Sequence, residues 1–218
     1  MGVDKQAFLK LMVQQEVLRF GDFQLKSGRR SPYFFNLGAV SDGTALAELG
    51  RFYASTIEAL GCDFDMLFGP AYKGIPIAVA TTLALADRGV TKGIAFNRKE
   101  AKDHGEGGVF VGAPVEGRVL LVDDVLTAGT AIREAASLVT EAGATLAGIV
   151  IALDRQEKLN GETTAVRRME IDLGVPVASI ATLKDVIEYL DLNQQPDKHP
   201  ANLVASVRAY QDAYCVLS

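Results

Sequence analysis

The sequence predicts a single α/β domain, spanning residues 1–218, with a mostly parallel twisted sheet flanked by helices. Two observations support this prediction: short apolar runs of strand length recur along the chain, and longer segments with helical periodicity lie between them. The apolar runs occupy residues 66–68, 93–96, 119–122, 148–153 and 177–180. Near-continuous apolar strands that alternate with helices are typical of parallel sheets covered on both faces.

Helices are predicted before, between and after these runs. They occupy residues 49–60, 75–87, 131–142, 183–192 and 203–214. Gly61 and Gly143 directly follow the first and third of these segments, where a left-handed C-terminal cap is favoured. The regular alternation of strand and helix therefore extends from about residue 49 to the C-terminal helices.

The first 40 residues have a different pattern. An amphipathic helix is predicted to about Phe20, followed by strand-like pieces at residues 23–25 and 33–36 that are joined by a turn at 26–28. We expect these residues to form a small hood on the α/β core, which spans residues 41–218.

Composition limits the function. The chain has 218 residues, 49% of them hydrophobic, and its net charge is −5, so a general nucleic-acid surface is not expected and an anionic ligand would need a local basic cluster. No secretory signal is visible, and the most apolar stretch, residues 75–86, is too short to cross a bilayer. We therefore expect a cytoplasmic protein. Its two cysteines, Cys62 and Cys215, suggest neither a disulfide framework nor a zinc site.

The most informative segment follows the third run. Four hydrophobic residues lead directly into Asp123 and Asp124, and residues 127–130, Thr-Ala-Gly-Thr, then open a helix. Ligands of open parallel sheets bind at the carboxyl ends of the strands, where backbone N–H groups at a helix N-terminus can hold a phosphate. The carboxylates could bind sugar hydroxyls or Mg²⁺, although an Asp pair can also simply end a strand and cap a helix. The segment is neither a Walker A loop nor a GxGxxG motif.

Two other segments suggest an anion site. Residues 68–74, Phe-Gly-Pro-Ala-Tyr-Lys-Gly, form a strand–turn–helix signal in which Lys73 could bind pyrophosphate, or could be an ordinary surface lysine. Residues 97–108 are polar and rich in glycine, and they contain Arg98, Lys99, Lys102 and His104. They are expected to form a loop, either a solvated surface loop or a lid that closes over a polyanion.

With these motifs the chain resembles the phosphoribosyltransferases of the type I fold, and among them the orotate phosphoribosyltransferases. The similarity lies in residues 20–36, 68–76, 96–108, 118–133 and 153–157. It implies transfer of the 5-phosphoribosyl group from phosphoribosyl pyrophosphate (PRPP) to orotate, giving orotidine 5′-monophosphate and pyrophosphate in de novo pyrimidine synthesis. It also implies Mg²⁺ as cofactor and a homodimer in which the 97–108 lid reaches the neighbouring subunit's site.

The resemblance assigns the site residues. Those expected to bind PRPP are Lys26, Tyr72, Lys73, Arg98, Lys99, Lys102, His104, Asp123, Asp124, Val125, Leu126, Thr127, Ala128, Gly129, Thr130 and Ala131. Orotate is expected to contact Phe34, Phe35, Thr127 and Arg155. The expected catalytic residues are Lys26, Lys102, Asp123 and Asp124, and Mg²⁺ is expected to be held mainly through PRPP, with Asp123 or Asp124 as a candidate additional ligand.

Two alternatives remain at this stage. A phosphoribosyltransferase for another base would keep the Asp123–Asp124 loop but would not need Lys26, the polar lid and Arg155 together. A non-catalytic PRPP-binding regulator would be expected to carry a basic face or a helix-turn-helix module, and neither is visible.

Overall fold

The computed structural model describes residues 2–25, 28–102, 108–126, 129–159, 163–193 and 202–216, and only the backbone of residues 101 and 102. Within these residues the strands are β1 (Leu18–Gln24), β2 (Arg30–Phe35), β3 (Met66–Gly69), β4 (Gly93–Lys102), β5 (Gly108–Gly112), β6 (Arg118–Val125), β7 (Thr145–Asp154) and β8 (Val177–Thr182). The helices are α1 (Lys5–Gln14), α2 (Gly43–Leu60), α3 (Gly74–Ala86), α4 (Thr130–Glu141), α5 (Ala165–Leu173), α6 (Leu183–Leu192) and α7 (Leu203–Tyr214).

The main sheet has the strand order β5-β4-β3-β6-β7-β8. All neighbouring pairs are parallel except β4 and β5, which are antiparallel. The predicted α/β class with a mostly parallel sheet is therefore confirmed. Strands β1 and β2 form a separate antiparallel pair.

The core lies on both faces of the main sheet. Along β6, Leu120 and Val122 point into one hydrophobic cluster, and Val119 and Leu121 point into the other. Successive side chains of a strand face opposite sides, so a continuous apolar run is the pattern of a strand buried on both faces. Helices α1, α2, α3, α6 and α7 contribute to the first cluster, and α4 and α5 to the second.

Local signals set most helix ends. Gly61 ends α2 with a φ of 67°, and Gly143 follows α4 with a φ of 82°, both in the left-handed region that glycine adopts without strain. Helix α6 begins with a capping box in which Thr182 and Asp185 satisfy each other's backbone N–H groups. In the described part of the chain, no helix is both long and apolar enough to cross a bilayer.

The N-terminal prediction was wrong in one respect. The first helix ends at Gln14 rather than near Phe20, and Leu18 already lies in β1, opposite Phe35 of β2. Glu16, with a φ of 54°, redirects the chain between the two elements. The pairing with β2 decides the conformation here, because a strand can bury Leu18 as well as a helix can.

Candidate active site

The candidate site lies at the carboxyl edge of the main sheet. Strand β6 pairs with β3 on one side and with β7 on the other, so the segments that follow these three strands converge. Lys73 lies in the segment after β3, Asp123 and Asp124 lie in the last residues of β6, and Arg155 directly follows β7. Ligands of open α/β sheets bind at this edge.

The two carboxylates at the end of β6 are buried, with Asp123 8% and Asp124 6% exposed. Lys73 Nζ lies 2.5 Å from Asp124 Oδ2, which joins the β3–α3 turn to β6. The backbone N–H of Asp124 donates to Asp123 Oδ1 at 2.9 Å, and that of Val125 donates to Asp124 Oδ1 at 2.8 Å. Both carboxylates are therefore held in place before any ligand arrives.

Burial raises the pKa of Asp123 to about 7, and the neighbouring Asp124 carboxylate adds to the shift. The backbone N–H of Asp124 and the charge of Lys73 act in the opposite direction. Tyr53, itself fully buried, donates its hydroxyl to the Asp123 carbonyl at 2.7 Å and so fixes the backbone at this point. Perturbed carboxyl groups of this kind are frequent at functional sites.

Asp123→Asn is expected to raise the melting temperature above pH 7 and to have no effect below about pH 4. The folded protein holds the Asp123 proton up to about pH 7, whereas the unfolded chain releases it near its ordinary value of 3.8. The free energy of unfolding therefore falls as the pH rises between these values, and the neutral amide removes this loss. Melting curves at pH 4, 6 and 8 measure the effect, with the exposed Asp63→Asn as control. A pH-independent difference would contradict the assignment.

The β3–α3 turn brings Tyr72 and Lys73 to the edge. Gly69 and Gly74 approach so closely that a Cβ on Gly69 would lie 2.1 Å from the Gly74 carbonyl oxygen. Only glycine fits there, and the tight turn leaves Tyr72 69% exposed. Lys99 Nζ lies 5.3 Å from the centre of the Tyr72 ring, so expected PRPP residues of the β3–α3 turn and of β4 come together.

Residues 97–108 differ from the predicted loop. Residues 97–102 continue β4 and residue 108 begins β5, with Asn97 opposite Phe110 and Lys102 opposite Gly108. The backbone pairing accounts for the order of this polar segment, since its side chains can remain solvated on a two-stranded arm. Residues 103–107, including His104, and the side chain of Lys102 lie outside the described residues. Arg98 and Lys99 lie on the described part of the arm.

The segment between β6 and α4 is described at residue 126 and again from residue 129. Leu126 is 4% exposed, so its side chain belongs to the core and only its backbone could serve a ligand. Gly129, with a φ of 73°, precedes α4, whose first residues Thr130 and Ala131 are exposed. The first N–H groups of a helix lack intrahelical partners and favour anions. Thr127 and Ala128 lie outside the described residues.

Arg155, which follows β7, is only 6% exposed. Its Nε lies 2.6 Å from Glu157 Oε1, and its guanidinium carbon lies 4.3 Å from the centre of the Tyr33 ring. Its Nη2 lies 3.4 Å from both Ser31 Oγ and the Tyr210 hydroxyl. These four neighbours of Arg155 were not predicted from the sequence, although the alternation of residues 31, 33 and 35 in β2 would have placed Ser31 and Tyr33 on one face.

The two phenylalanines that are expected to contact orotate differ in their burial. Phe35 is buried in the core, and the Phe34 ring packs against Phe23 at 5.6 Å and Arg19 at 5.4 Å. Tyr33 places its ring at Arg155. Phe34 directly follows Tyr33 in β2, so its side chain faces the opposite side of the strand. Lys26 lies outside the described residues.

The donor set can be compared with what Mg²⁺ requires. Among the described residues, no group of three His, Cys, Asp or Glu side chains could hold a metal ion. Asp123 and Asp124 supply hard carboxylate oxygens at one point of the edge. This set suits Mg²⁺, which keeps several waters and is often bound through one or two carboxylates together with substrate phosphates.

Comparison with known proteins supports a single family. A family model described as "Phosphoribosyl transferase domain" matches residues 38–190. The chain is 54% identical to the orotate phosphoribosyltransferase of Marinobacter nauticus over 212 residues, covering 97% of this chain and 98% of that protein. It is also 54% identical to that of Klebsiella pneumoniae over 215 residues, again covering 97% and 98%.

Solved structures of orotate phosphoribosyltransferases have a similar fold. The crystal structure of orotate phosphoribosyltransferase from Francisella tularensis has a TM-score of 0.83 at 38% identity, covering 96% of this chain and 99% of that one. The enzyme from Mycobacterium tuberculosis, in complex with Fe(III) dicitrate, has a TM-score of 0.67 at 26% identity, with coverages of 84% and 98%.

Proposed function

The chain belongs to the orotate phosphoribosyltransferase family, and from that premise we propose how its own residues perform the reaction. The enzyme, a pentosyltransferase, transfers the 5-phosphoribosyl group of PRPP to orotate, and the products are orotidine 5′-monophosphate and pyrophosphate. The observation that supports the assignment of residues best is the edge at which Lys73, Asp123, Asp124 and Arg155 converge. This activity belongs to pyrimidine biosynthesis.

PRPP lies, in this proposal, across the β3–α3 turn and the start of α4. The N-terminus of α4, with Gly129, Thr130 and Ala131 and the preceding residues 125–128, receives the 5-phosphate. Tyr72, Lys73, Arg98 and Lys99 surround the pyrophosphate, together with Lys26, Lys102 and His104. The basic side chains of this set compensate for the overall charge of −5, which would otherwise oppose a polyanion.

Asp123 and Asp124 bind the ribose hydroxyls in this arrangement. Displacement at the anomeric carbon develops oxocarbenium-like positive charge, as in glycoside cleavage, and fixed carboxylates stabilise it. Their hydrogen bonds to the backbone and to Lys73 supply the fixed positions that such stabilisation requires. Asp123 or Asp124 is the candidate protein ligand of Mg²⁺, which would supply charge neutralisation for the leaving pyrophosphate when bound with PRPP.

Arg155 recognises the carboxylate of orotate. A guanidinium presents parallel N–H donors that match a planar carboxylate, and burial strengthens such charge-assisted bonds. Backbone groups of Phe34 and Phe35 and the side chain of Thr127 complete the proposed base site. A covalent intermediate is not required, because positioning of the two substrates and stabilisation of the leaving group account for the reaction.

The direct test mixes the protein, Mg²⁺ and PRPP with orotate, uracil, adenine or guanine in turn. Base absorbance and pyrophosphate release are followed. Consumption of orotate alone is expected. Turnover of another base instead would contradict the assignment, and PRPP binding without any turnover would indicate a regulator.

A homodimer is supported by the surface of α3. This helix is apolar nearly all round, and within it Val79 is 40% and Leu83 63% exposed. A helix that is hydrophobic on all sides is normally covered. A second copy of the chain would cover this face, and the arm formed by β4 and β5 could then reach the neighbouring site. We place the dimer in the cytoplasm.

The shared arm predicts complementation between two inactive variants. Lys102→Ala removes a cation of the arm, and Asp124→Asn removes a carboxylate of the edge. Equal co-expression of the two variants gives hybrids as half of the dimers. If the arm serves the neighbouring site, each hybrid has one intact site of two, so about a quarter of the wild-type activity returns. Sedimentation velocity measures whether the protein is a dimer in solution. Activity no higher than the mean of the two separate variants would contradict sharing.

A further inference from the structure

The environment of Arg155 contains a carboxylate that the reaction described above does not use. Glu157 lies two residues later, and its side chain is 18% exposed. Its Oε1 lies 2.6 Å from Arg155 Nε and accepts a hydrogen bond from the Tyr210 hydroxyl at 2.7 Å. Its Oε2 lies 3.4 Å from Arg29 Nη1. Glu157 therefore joins the end of β7, helix α7 and the residues between β1 and β2.

This arrangement fixes the guanidinium of Arg155 on two sides. Glu157 holds the Nε side, and the Tyr33 ring lies against the planar face. Nη2 makes two long contacts of 3.4 Å, and Nη1 donates to no residue that the structure describes. The edge formed by Nη1 and Nη2 therefore keeps donors for a planar anion, which is the geometry of bidentate carboxylate recognition.

The backbone between the two residues is also constrained. Gln156 has a φ of 54°, a conformation that residues other than glycine adopt infrequently. Its side-chain carbonyl accepts from the Lys184 N–H at 3.0 Å, and its backbone carbonyl accepts from the Val216 N–H at 3.0 Å. The start of α6 and the residues after α7 thus hold the turn that carries Arg155 and Glu157.

We propose that Glu157, held by the Tyr210 hydroxyl, is a positioning residue that directs the Nη1–Nη2 edge of Arg155 toward the carboxylate of orotate. The inference rests on the proposed function, in which Arg155 binds that carboxylate. Glu157 also balances a buried positive charge while the base site is empty, and an unpaired buried charge is strongly unfavourable. The C-terminal helix α7 is thereby part of base recognition.

The test is Glu157→Gln, which keeps the shape of the side chain and removes its charge. The KM for orotate is expected to rise about tenfold, as is typical for loss of a hydrogen bond between charged groups, while the KM for PRPP changes less than about twofold. Tyr210→Phe should raise the orotate KM in the same direction by a smaller factor. Tyr214→Phe removes a hydroxyl from the same helix and is the matched control, because the hydroxyl that donates to Glu157 belongs to Tyr210.

A second measurement separates positioning from structural damage. Uracil lacks the carboxylate, so its inhibition constant against orotate should be the same in the wild type and in Glu157→Gln.

Arg155→Ala tests the premise that Arg155 binds the carboxylate of orotate. An unchanged orotate KM in that variant would overturn the base site and the role of Glu157 together. If Arg155→Ala raises the orotate KM but Glu157→Gln leaves it unchanged or lowers it, the premise stands and the positioning role is wrong. Equal loss of orotate and uracil binding in Glu157→Gln would also overturn the positioning role of Glu157.

Discussion

Asp124→Asn is expected to lower the turnover number by about a hundredfold or more while the fold is retained. The carboxylate is 6% exposed, and its Oδ2 lies 2.5 Å from Lys73 Nζ. The neutral amide weakens this pair and, in the proposed mechanism, removes a negative charge beside the ribose, where positive charge develops. Loss of one preorganised electrostatic contact of this kind typically costs about 3 kcal/mol of transition-state stabilisation.

The measurement is the steady-state rate at saturating orotate and PRPP, with a melting curve to verify folding. Asp191→Asn is the matched control, since Asp191 forms an ion pair with Arg208 at the same distance of 2.5 Å on helices α6 and α7. We expect that control to keep its activity, because exposed ion pairs contribute little. Activity of Asp124→Asn close to the wild-type rate would remove the carboxylate from the proposed mechanism.

Lys102→Ala is expected to have an effect of similar size, again about a hundredfold or more. Phe96 of β4 lies opposite Gly69, the last residue of β3, so residues 97–102 extend beyond the carboxyl edge of the sheet. At about 3.3 Å per residue this extension is about 20 Å long, enough to reach over a bound substrate. A cation at its end would neutralise the leaving group and help to exclude water.

Turnover at saturating substrates and the melting temperature measure this second effect. Lys92→Ala is a suitable control, because Lys92 directly precedes β4 at the opposite edge of the sheet. Near-wild-type turnover in Lys102→Ala would refute a catalytic role for the arm. Loss of turnover in both variants would instead indicate that β4 is generally sensitive to substitution.

Much of the fold was predictable because its signals are local. The five apolar runs became β3, β4, β6, β7 and β8, and the glycines after α2 and α4 have the expected left-handed conformation. The ends of α6 and α7 were also predicted as observed. Buried parallel strands and helix caps depend on neighbouring residues, and such patterns can be read without knowledge of distant contacts.

The polar arm and helix α5 were less predictable. Residues 97–102 carry five polar or charged side chains among six, which favours a loop, yet pairing with β5 makes them a strand. Helix α5 has an N-cap at Thr164 and a left-handed Gly174 at its end, but only Met169 within it is buried. Its apolar residues Val166, Met169 and Leu173 have helical spacing and pack against the second cluster, but the helix is short and mostly polar, so its burial is evident only from the structure.

The sequence by itself determined the family, the mostly parallel sheet and a carboxylate pair shortly before the N-terminus of a helix, because each follows from residue patterns within short segments. Only the tertiary structure decided that Lys73 meets Asp124, that Asp123 is buried enough to raise its pKa to about 7, and that Glu157 and Tyr210 hold Arg155. These contacts join residues between 2 and 53 positions apart in the chain. Their strength depends on burial and on distances of a few ångströms, and both quantities arise only when separate elements pack together.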